Sequence, residues 1–296
     1  MKVKLKKYCN YMGIEYVGIA PIGPYDELKN MIERREKNNW LSGMEEEKIE
    51  RRIDPKLIMD DCKSVIVCLF PYYIKDMNSN ISNYTYALDY HMVVKEKLKE
   101  IGKYLSDEIE GFKYEAFVDT GPLADRYLAY RAGLGFFGLN QSLINDKYGT
   151  YTFIGYMINN YPFKEDMPLN MTCLKCRACI EACPGEALYD DFSMNAKKCV
   201  SYLTQKKEEL TRDEIKKVKM AKKVFGCDIC QQVCPHNENI VETNIMEFKE
   251  NLITSLDKGE IDNMSNKAFK RKYGNRAFGW RGRKIISRNF SYMDMD

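Results

Sequence analysis

Cys173-Leu-Lys-Cys176-Arg-Ala-Cys179-Ile-Glu-Ala-Cys183-Pro184 is the stretch on which the reading of this chain turns. Its C-x2-C-x2-C-x3-C-P spacing is that of a ferredoxin-type [4Fe–4S] half-site, whose fourth cysteine ligates the other of two clusters. A second run, Cys227-Asp-Ile-Cys230-Gln-Gln-Val-Cys234-Pro235, repeats the C-x2-C-x3-C-P pattern, and Cys199 stands alone between them. Eight of the eleven cysteines are thereby accounted for, the number two cubanes require. Cysteines at x2 spacing reach adjacent corners of one cubane; the short loop cannot also reach the far iron, so the fourth thiolate comes from elsewhere. Proline after the last cysteine turns the chain away and removes a backbone donor. The spacing therefore predicts one cluster on Cys173, Cys176, Cys179 and Cys234 and another on Cys183, Cys199, Cys227 and Cys230. Zinc ribbons also use C-x2-C pairs, but they do not call for triplets each closed by C-P. Cys9, Cys62 and Cys68 lie outside the pattern; Cys62 and Cys68 flank Ser-Val-Ile-Val and read as buried strand thiols.

Outward from these runs, the chain has 296 residues, 30% charged, with a net charge of +3. That length holds one sizeable domain and a smaller one. No apolar run approaches the roughly 18 residues of a membrane span. The basic N-terminus, MKVKLKKYCNYMGIEYVGIA, lacks an unbroken apolar stretch and a small-residue cleavage site, so it is not read as a signal peptide. Cluster-ready cysteines without a disulfide framework point to a reducing, cytoplasmic setting.

Residues 2–12, 25–37 and 89–108 read as helices, and 123–132 as another. Tyr16–Ala20, Ser64–Pro71, Tyr114–Asp119 and Tyr151–Ile158 read as strands, the second an unbroken apolar run expected to be buried. The expected fold class is α+β, with three segments. Residues 1–165 form an α/β layered domain, 166–245 a ferredoxin-like domain with two [4Fe–4S] clusters, and 246–296 a helical basic tail. Gly133-Leu-Gly-Phe-Phe-Gly138 follows a helical stretch rather than a strand, so it is not a dinucleotide loop. From Met264 to Tyr292 there is no acidic residue, while nine lysines and arginines are interleaved with Phe269, Tyr273, Phe278 and Trp280. Basic side chains that track phosphates and aromatics that stack on bases suit an RNA surface. Lys216, Lys217, Lys219, Lys222 and Lys223 add charge nearby.

Several further motifs occur in a telling order: Trp40-Leu-Ser-Gly-Met44, Arg51-Arg52-Ile-Asp-Pro55, Asp89-Tyr90-His91, and Phe117-Val-Asp119-Thr-Gly-Pro122. Arg131-Ala-Gly-Leu-Gly135 then runs into Gly138-Leu-Asn140. Cys199-Val-Ser201-Tyr-Leu-Thr-Gln205, Phe269-Lys-Arg-Lys-Tyr-Gly274 and Trp280-Arg-Gly-Arg283 complete the series. In this order, over nearly the whole chain, they resemble the epoxyqueuosine reductase family, relatives of the reductive dehalogenases. The resemblance implies removal of the epoxide oxygen of epoxyqueuosine at the wobble base of tRNA, using base-off cobalamin reduced through the two clusters. The absence of a D-x-H-x-x-G segment, which would offer histidine to cobalt, fits the base-off form. Better-known members continue past the Trp-Arg-Gly motif into helical repeats that help hold tRNA, whereas this sequence stops at Asp296.

The same resemblance makes Asp119 the proton donor, at the end of a strand before a Thr-Gly-Pro turn. An acid near the epoxide oxygen is what the chemistry needs, and a carboxyl serves at neutral pH only if burial raises its pKa. Arg52, Ser82, Asp119, Leu143, Ile154, Ser201, Cys227 and Asp228 are the positions implied to touch the corrinoid. His91 is expected to line the site or to be hydrogen-bonded beneath it, and His236 to tune a cluster without ligating it. The implied partners are the tRNA anticodon loop carrying epoxyqueuosine and an electron donor such as a flavodoxin or ferredoxin, with no membrane and a monomeric chain. Two other readings stay open at this point. One is a corrinoid iron–sulfur reductase of a small molecule, like the dehalogenases; the other is a two-cluster electron-transfer protein.

Overall fold

A computed structural model describes residues 1–75 and 79–295. Its strands are β1 (Tyr16–Ala20), β2 (Ser64–Pro71), β3 (Tyr114–Val118), β4 (Phe136–Phe137), β5 (Leu143–Ile144) and β6 (Thr152–Asn159). Four of them make one sheet in the order β1-β2-β6-β3, every neighbouring pair antiparallel, while β4 and β5 form a small ribbon. In the register, Val67 stands opposite Gly18 on one side and Tyr156 on the other.

Every residue of β2 is buried, because helices cover both faces of the sheet. Successive side chains of a strand alternate between faces. Ile66, Cys68 and Phe70 join a core with Leu5 and Cys9 of α1 (Lys2–Tyr11). Val65, Val67 and Leu69 join the opposite core with Leu28 and Ile32 of α2 (Asp26–Lys37). Each such side chain contributes about 1.5–3 kcal/mol when fully buried. After the short α3 (Ile49–Ile53), the long α4 (Tyr90–Glu108) lays Val94, Leu98, Ile101 and Leu105 on the first core. Asp89 caps α4 by accepting the His91 backbone N–H, which satisfies one of the donors a helix start leaves open. Helix α5 (Asp125–Arg131) is shorter than the sequence suggests, since the chain bends from Thr120 through Leu123 and only Ala124, at the helix start, is extended.

The cysteine-bearing segment holds only short helices apart from one: α6 (Ala178–Glu181), α7 (Val200–Leu203), α8 (Arg212–Ala221) and α9 (Ile229–Gln232). The longer α8 opens on a capping box between Thr211 and Glu214. The final helices, α10 (Lys258–Asn263), α11 (Asn266–Tyr273) and α12 (Arg283–Asp294), are not a free tail. Ile261, Phe269, Tyr273, Phe278, Ile286 and Phe290 pack with Ile81, Tyr86, Val224 and Phe225, so this segment is built into both of the others. Among the described residues, no helix is long and apolar enough to cross a membrane.

Candidate active site

The two cysteine runs fold into two groups of thiols. Cys173, Cys176, Cys179 and Cys234 line one small cavity, together with Asn140 and His236. Cys183, Cys199 and Cys227 surround Cys230 closely enough to repel its thiolate. Among the described residues, no three His, Cys, Asp or Glu side chains gather tightly enough to share a single ion; a cubane instead offers one iron to each of four thiolates. Lys175 and Arg177, both at positive φ, curl the first loop. The Lys175 N–H then donates to the Cys173 sulfur at 3.5 Å, and the Ala187 N–H donates to Cys183 at the same distance. Burial, with neighbouring thiols, pushes Cys179 up to about 11 and Cys227 up to about 12. Bare thiols would stay protonated there, and metal coordination is what deprotonates such groups. These donor sets fit iron–sulfur clusters.

Close backbone approaches assemble the second group. At Gly185, any Cβ would strike the Lys198 carbonyl, so only glycine lets the Cys199 segment lie against the Cys183 turn. A Cβ on Gly226, at φ +71°, would strike Ser82. Here the N-terminal domain is stitched to the second cysteine run: Val224 N–H donates to Asn80 O at 2.7 Å and Ser82 N–H to Phe225 O at 2.9 Å. From the other side, the buried Asn289 of α12 donates to Thr204 O at 2.7 Å and Val224 O at 2.8 Å.

Asp119 follows β3 in the left-handed region, at φ +54°. Its Oδ2 accepts the Tyr90 hydroxyl at 2.7 Å and lies 3.4 Å from Nε2 of His91. Nδ1 of His91 is 2.7 Å from Asp89 Oδ1. The side chain of Asp119 is 59% exposed, and its pKa is lowered where the sequence suggested it would be raised. Desolvation pushes upward, but the close approach of His91, the Tyr90 hydrogen bond and the charges of His91 and Arg126 outweigh it, holding the carboxyl below its usual range. Desolvation lowers His91, yet Asp119 and Asp89 together carry it up to about 9. At neutral pH the proton of this pair sits on the imidazole. Asp125 accepts the Asp119 N–H at 3.0 Å, and burial with the Asp119 charge pushes its own carboxyl well above the usual range.

A chain of contacts joins this proton site to the second thiol group. The Tyr84 ring lies edge-on to Tyr90 at 6.3 Å, and the Ser201 side chain, two residues after Cys199, lies near enough to the Tyr84 hydroxyl to act on it. The Ser82 hydroxyl donates to the buried Asp228, which also accepts the Asn83 N–H at 2.7 Å. Ser82, Cys227 and Asp228 are thus brought together, with Ser201 beside Tyr84. A cavity of about 220 Å³ opens beside them, lined by Tyr73, Asn83, Tyr151, Asp228 and Asn237 among others. Leu143 and Ile154, only 3% and 8% exposed, are core residues on the α2 and α5 face.

Arg52 belongs to a cluster that the sequence did not announce. Arg35 feels the charges of Arg126 and Arg52, and desolvation together with this repulsion lowers its pKa. Arg35 donates to the Gln141 side chain and Arg126 to the Gln141 carbonyl at 3.3 Å. None of the three makes a salt bridge among the described residues. Arg126 also lies close enough to Asp119 and Cys199 to pull both downward, although burial leaves Cys199 raised. Three clustered guanidiniums, outside any salt bridge although Glu45 lies near Arg35 and Arg52, fit the phosphate and amide periphery of a corrinoid. Arg35, Arg126 and Asp125 escape sequence reading because they sit on α2 and α5, far apart in the chain.

Comparison with known proteins adds the decisive observation. The family model "Epoxyqueuosine reductase QueG, DUF1730" matches residues 52–120, and "4Fe-4S double cluster binding domain" matches 172–237. The epoxyqueuosine reductase of Bacillus anthracis is 34% identical over 98% of this chain and 78% of its own length. This chain belongs to the epoxyqueuosine reductase family. A Bacillus subtilis epoxyqueuosine reductase, with an aspartate-bearing catalytic loop swung out of the active site, matches at a TM-score of 0.89 and 32% identity, covering 99% of this chain and 80% of that one. An epoxyqueuosine reductase bound to an epoxyqueuosine-modified tRNA-Tyr stem loop matches equally, with a TM-score of 0.89, 32% identity and the same coverage.

In this epoxyqueuosine reductase family member the basic C-terminal segment divides in two. Phe269, Tyr273 and Phe278 are core residues, 2%, 3% and 0% exposed, so they are not open to bases as the sequence suggested. Arg276 is buried and donates to the Tyr86 and Asn251 carbonyls. Arg288 binds the carbonyls of Lys206 and Glu208, and Lys223 those of Ser79 and Ile81. Lys267, Lys270, Arg271 and Lys284 remain exposed, and Trp280 is the one aromatic of the four left open.

Proposed function

We propose that this chain reduces epoxyqueuosine to queuosine at the wobble position of tRNA, with cobalamin and two [4Fe–4S] clusters as cofactors. The observation that carries the reading is the connection of a proton-holding pair, Asp119 and His91, to the second thiol group through Tyr90, Tyr84 and Ser201. When bound, the cofactors supply low-potential electrons. The overall change consumes two electrons and two protons and releases the epoxide oxygen as water.

Asp119 and His91 act as one acid that holds a shared proton, aimed from the exposed end of Asp119 at the departing oxygen. Tyr90 fixes the carboxylate, Asp89 fixes the imidazole, and Asp125 keeps a further proton beside the Asp119 backbone. Cys173, Cys176, Cys179 and Cys234 hold one cluster; Cys183, Cys199, Cys227 and Cys230 hold the other. Arg52, with Arg35 and Arg126, receives the corrinoid periphery, and Ser82, Ser201 and Asp228 face its edge. The exposed lysines and arginines of α11 and α12 receive tRNA phosphates.

The test is anaerobic conversion of epoxyqueuosine in tRNA, with added cobalamin and a strong reductant, followed by nucleoside mass analysis. Wild type should yield queuosine, and Asp119→Asn should yield at least a hundredfold less. Unchanged tRNA with the wild-type protein, fully loaded with both cofactors, overturns the reading.

A further inference from the structure

Trp280 is 54% exposed, an unusual position for the largest apolar side chain. It is nevertheless held in place. Its indole N–H donates to Gln205 Oε1 at 3.0 Å, and Gln205 in turn donates to the Ser201 carbonyl at 2.8 Å. Ser201 is the residue beside the Tyr84 hydroxyl in the chain of contacts leading to Asp119. The Arg281 guanidinium lies 3.7 Å from the indole centroid and covers one face of the ring. Nε of Arg281 is out of solvent and has no hydrogen-bond partner. An aromatic ring fixed at its edge, covered on one face and open on the other, is a half-built stack. A buried guanidinium N–H without an acceptor calls for one from outside.

We propose that Trp280 is a stacking platform for a single nucleobase of the anticodon loop, a neighbour of the base undergoing reduction. This rests on the tRNA reading above and deepens it. The base lies against the open indole face, and an acceptor on that nucleotide meets Arg281. Gln205 is a positioning residue: it sets the indole plane and ties it to Ser201, so the stacked base registers its neighbour against the proton site. Base–aromatic stacking is indifferent to base identity, so the platform would contribute affinity and register rather than sequence choice.

The chain has only two tryptophans, and Trp40 is stacked on Tyr189 at 4.9 Å. In a Trp40→Phe background, the emission of Trp280 alone can be followed while synthetic tRNA anticodon stem-loop RNA is added. The emission should be quenched as RNA binds. Trp280→Ala should weaken binding by roughly 5- to 150-fold, the range expected for loss of one stacked base. Trp280→Phe should recover most of that loss, and Gln205→Ala should weaken binding with an unchanged urea midpoint. RNA binding that leaves Trp280 emission untouched, or Trp280→Ala binding as tightly as wild type, overturns the proposal. Quenching without any reduction of epoxyqueuosine would sink the proposed reaction and leave the platform standing.

Discussion

Nε2 of His91 approaches Oδ2 of Asp119 to 3.4 Å, the same oxygen that takes the Tyr90 hydroxyl at 2.7 Å. An imidazolium and a carboxylate so placed stabilise each other's charge. His91 is raised to about 9, so its share of that stability is complete below about 6.5, its ordinary value, and is lost as pH rises through about 9. Asp119 is lowered, so its share is present above about 3.9 and lost as pH falls through its depressed value.

If this pair supplies the proton, turnover falls as the pH climbs past about 9. Replacing His91 with Gln removes the imidazolium, and the lone Asp119 carboxyl then rises toward the ordinary carboxylate range. The alkaline limb of the pH–rate profile should shift down by several pH units, with a rate at pH 8 about a hundredfold lower or more. A limb that stays in place in His91→Gln would show that the proton comes from elsewhere.

Asp119 at φ +54° makes the choice of substitution matter. Asparagine tolerates the left-handed region, whereas alanine is penalised there by about 1–2 kcal/mol. Asp119→Asn should therefore lose activity and the pair's share of stability, and Asp119→Ala should lose about 1–2 kcal/mol more than that. Equal midpoints for the two variants would show that the turn relaxes at no cost.

What the sequence made legible, and what it hid, follows one physical division. The apolar run of β2 was readable because both faces of the sheet are covered, so no residue of the strand is released to be polar. The cysteine runs were readable because cluster geometry is local. The β4–β5 ribbon has two-residue strands, too short for any period to register. The aromatics of the last segment misled for a different reason. Phe269 and Tyr273 are four residues apart on α11, on one face, and that face meets the core, while the lysines and arginines between them face solvent. Charge counted along the chain did not separate these faces. Nor did it reveal the pairing of Asp119 with His91, which lowers a carboxyl that burial alone would raise.

The division of the basic residues is testable. Lys270→Ala and Arg271→Ala should each weaken tRNA binding and reduce the slope of log K against log salt by about 0.7–0.9, the signature of one lost phosphate contact. Arg276→Ala should leave that slope unchanged. It removes donors from the buried Tyr86 and Asn251 carbonyls and should destabilise the fold by about 2–4 kcal/mol. Filter binding across a salt series and urea denaturation read the two effects separately.

Asn289 spans Thr204 O and Val224 O, which follow Cys199 and precede Cys227 in the chain. Asn289→Leu strands two buried carbonyls at about 1–3 kcal/mol each. The segments it clamps carry three of the four second-group thiols, so that group should fail first. Iron content should fall from about eight to about four per chain while the first group stays loaded. Loss of all iron together would mean that the two groups do not fold independently.

The crossed ligation is the sharpest claim on the cysteines. Cys183 belongs by sequence to the first run but lies with Cys199, Cys227 and Cys230, and Cys234 belongs to the second run but lines the cavity with Cys173, Cys176 and Cys179. In Cys183→Ser, the thiols that lose their cluster should be Cys199, Cys227 and Cys230. Anaerobic alkylation followed by peptide mapping should label those three and spare Cys173, Cys176 and Cys179. Cys234→Ser should give the reverse. If each run instead filled its own cluster, Cys183→Ser would open Cys173, Cys176 and Cys179 to alkylation. The two arrangements predict non-overlapping sets of labelled peptides, so a single pair of variants decides between them.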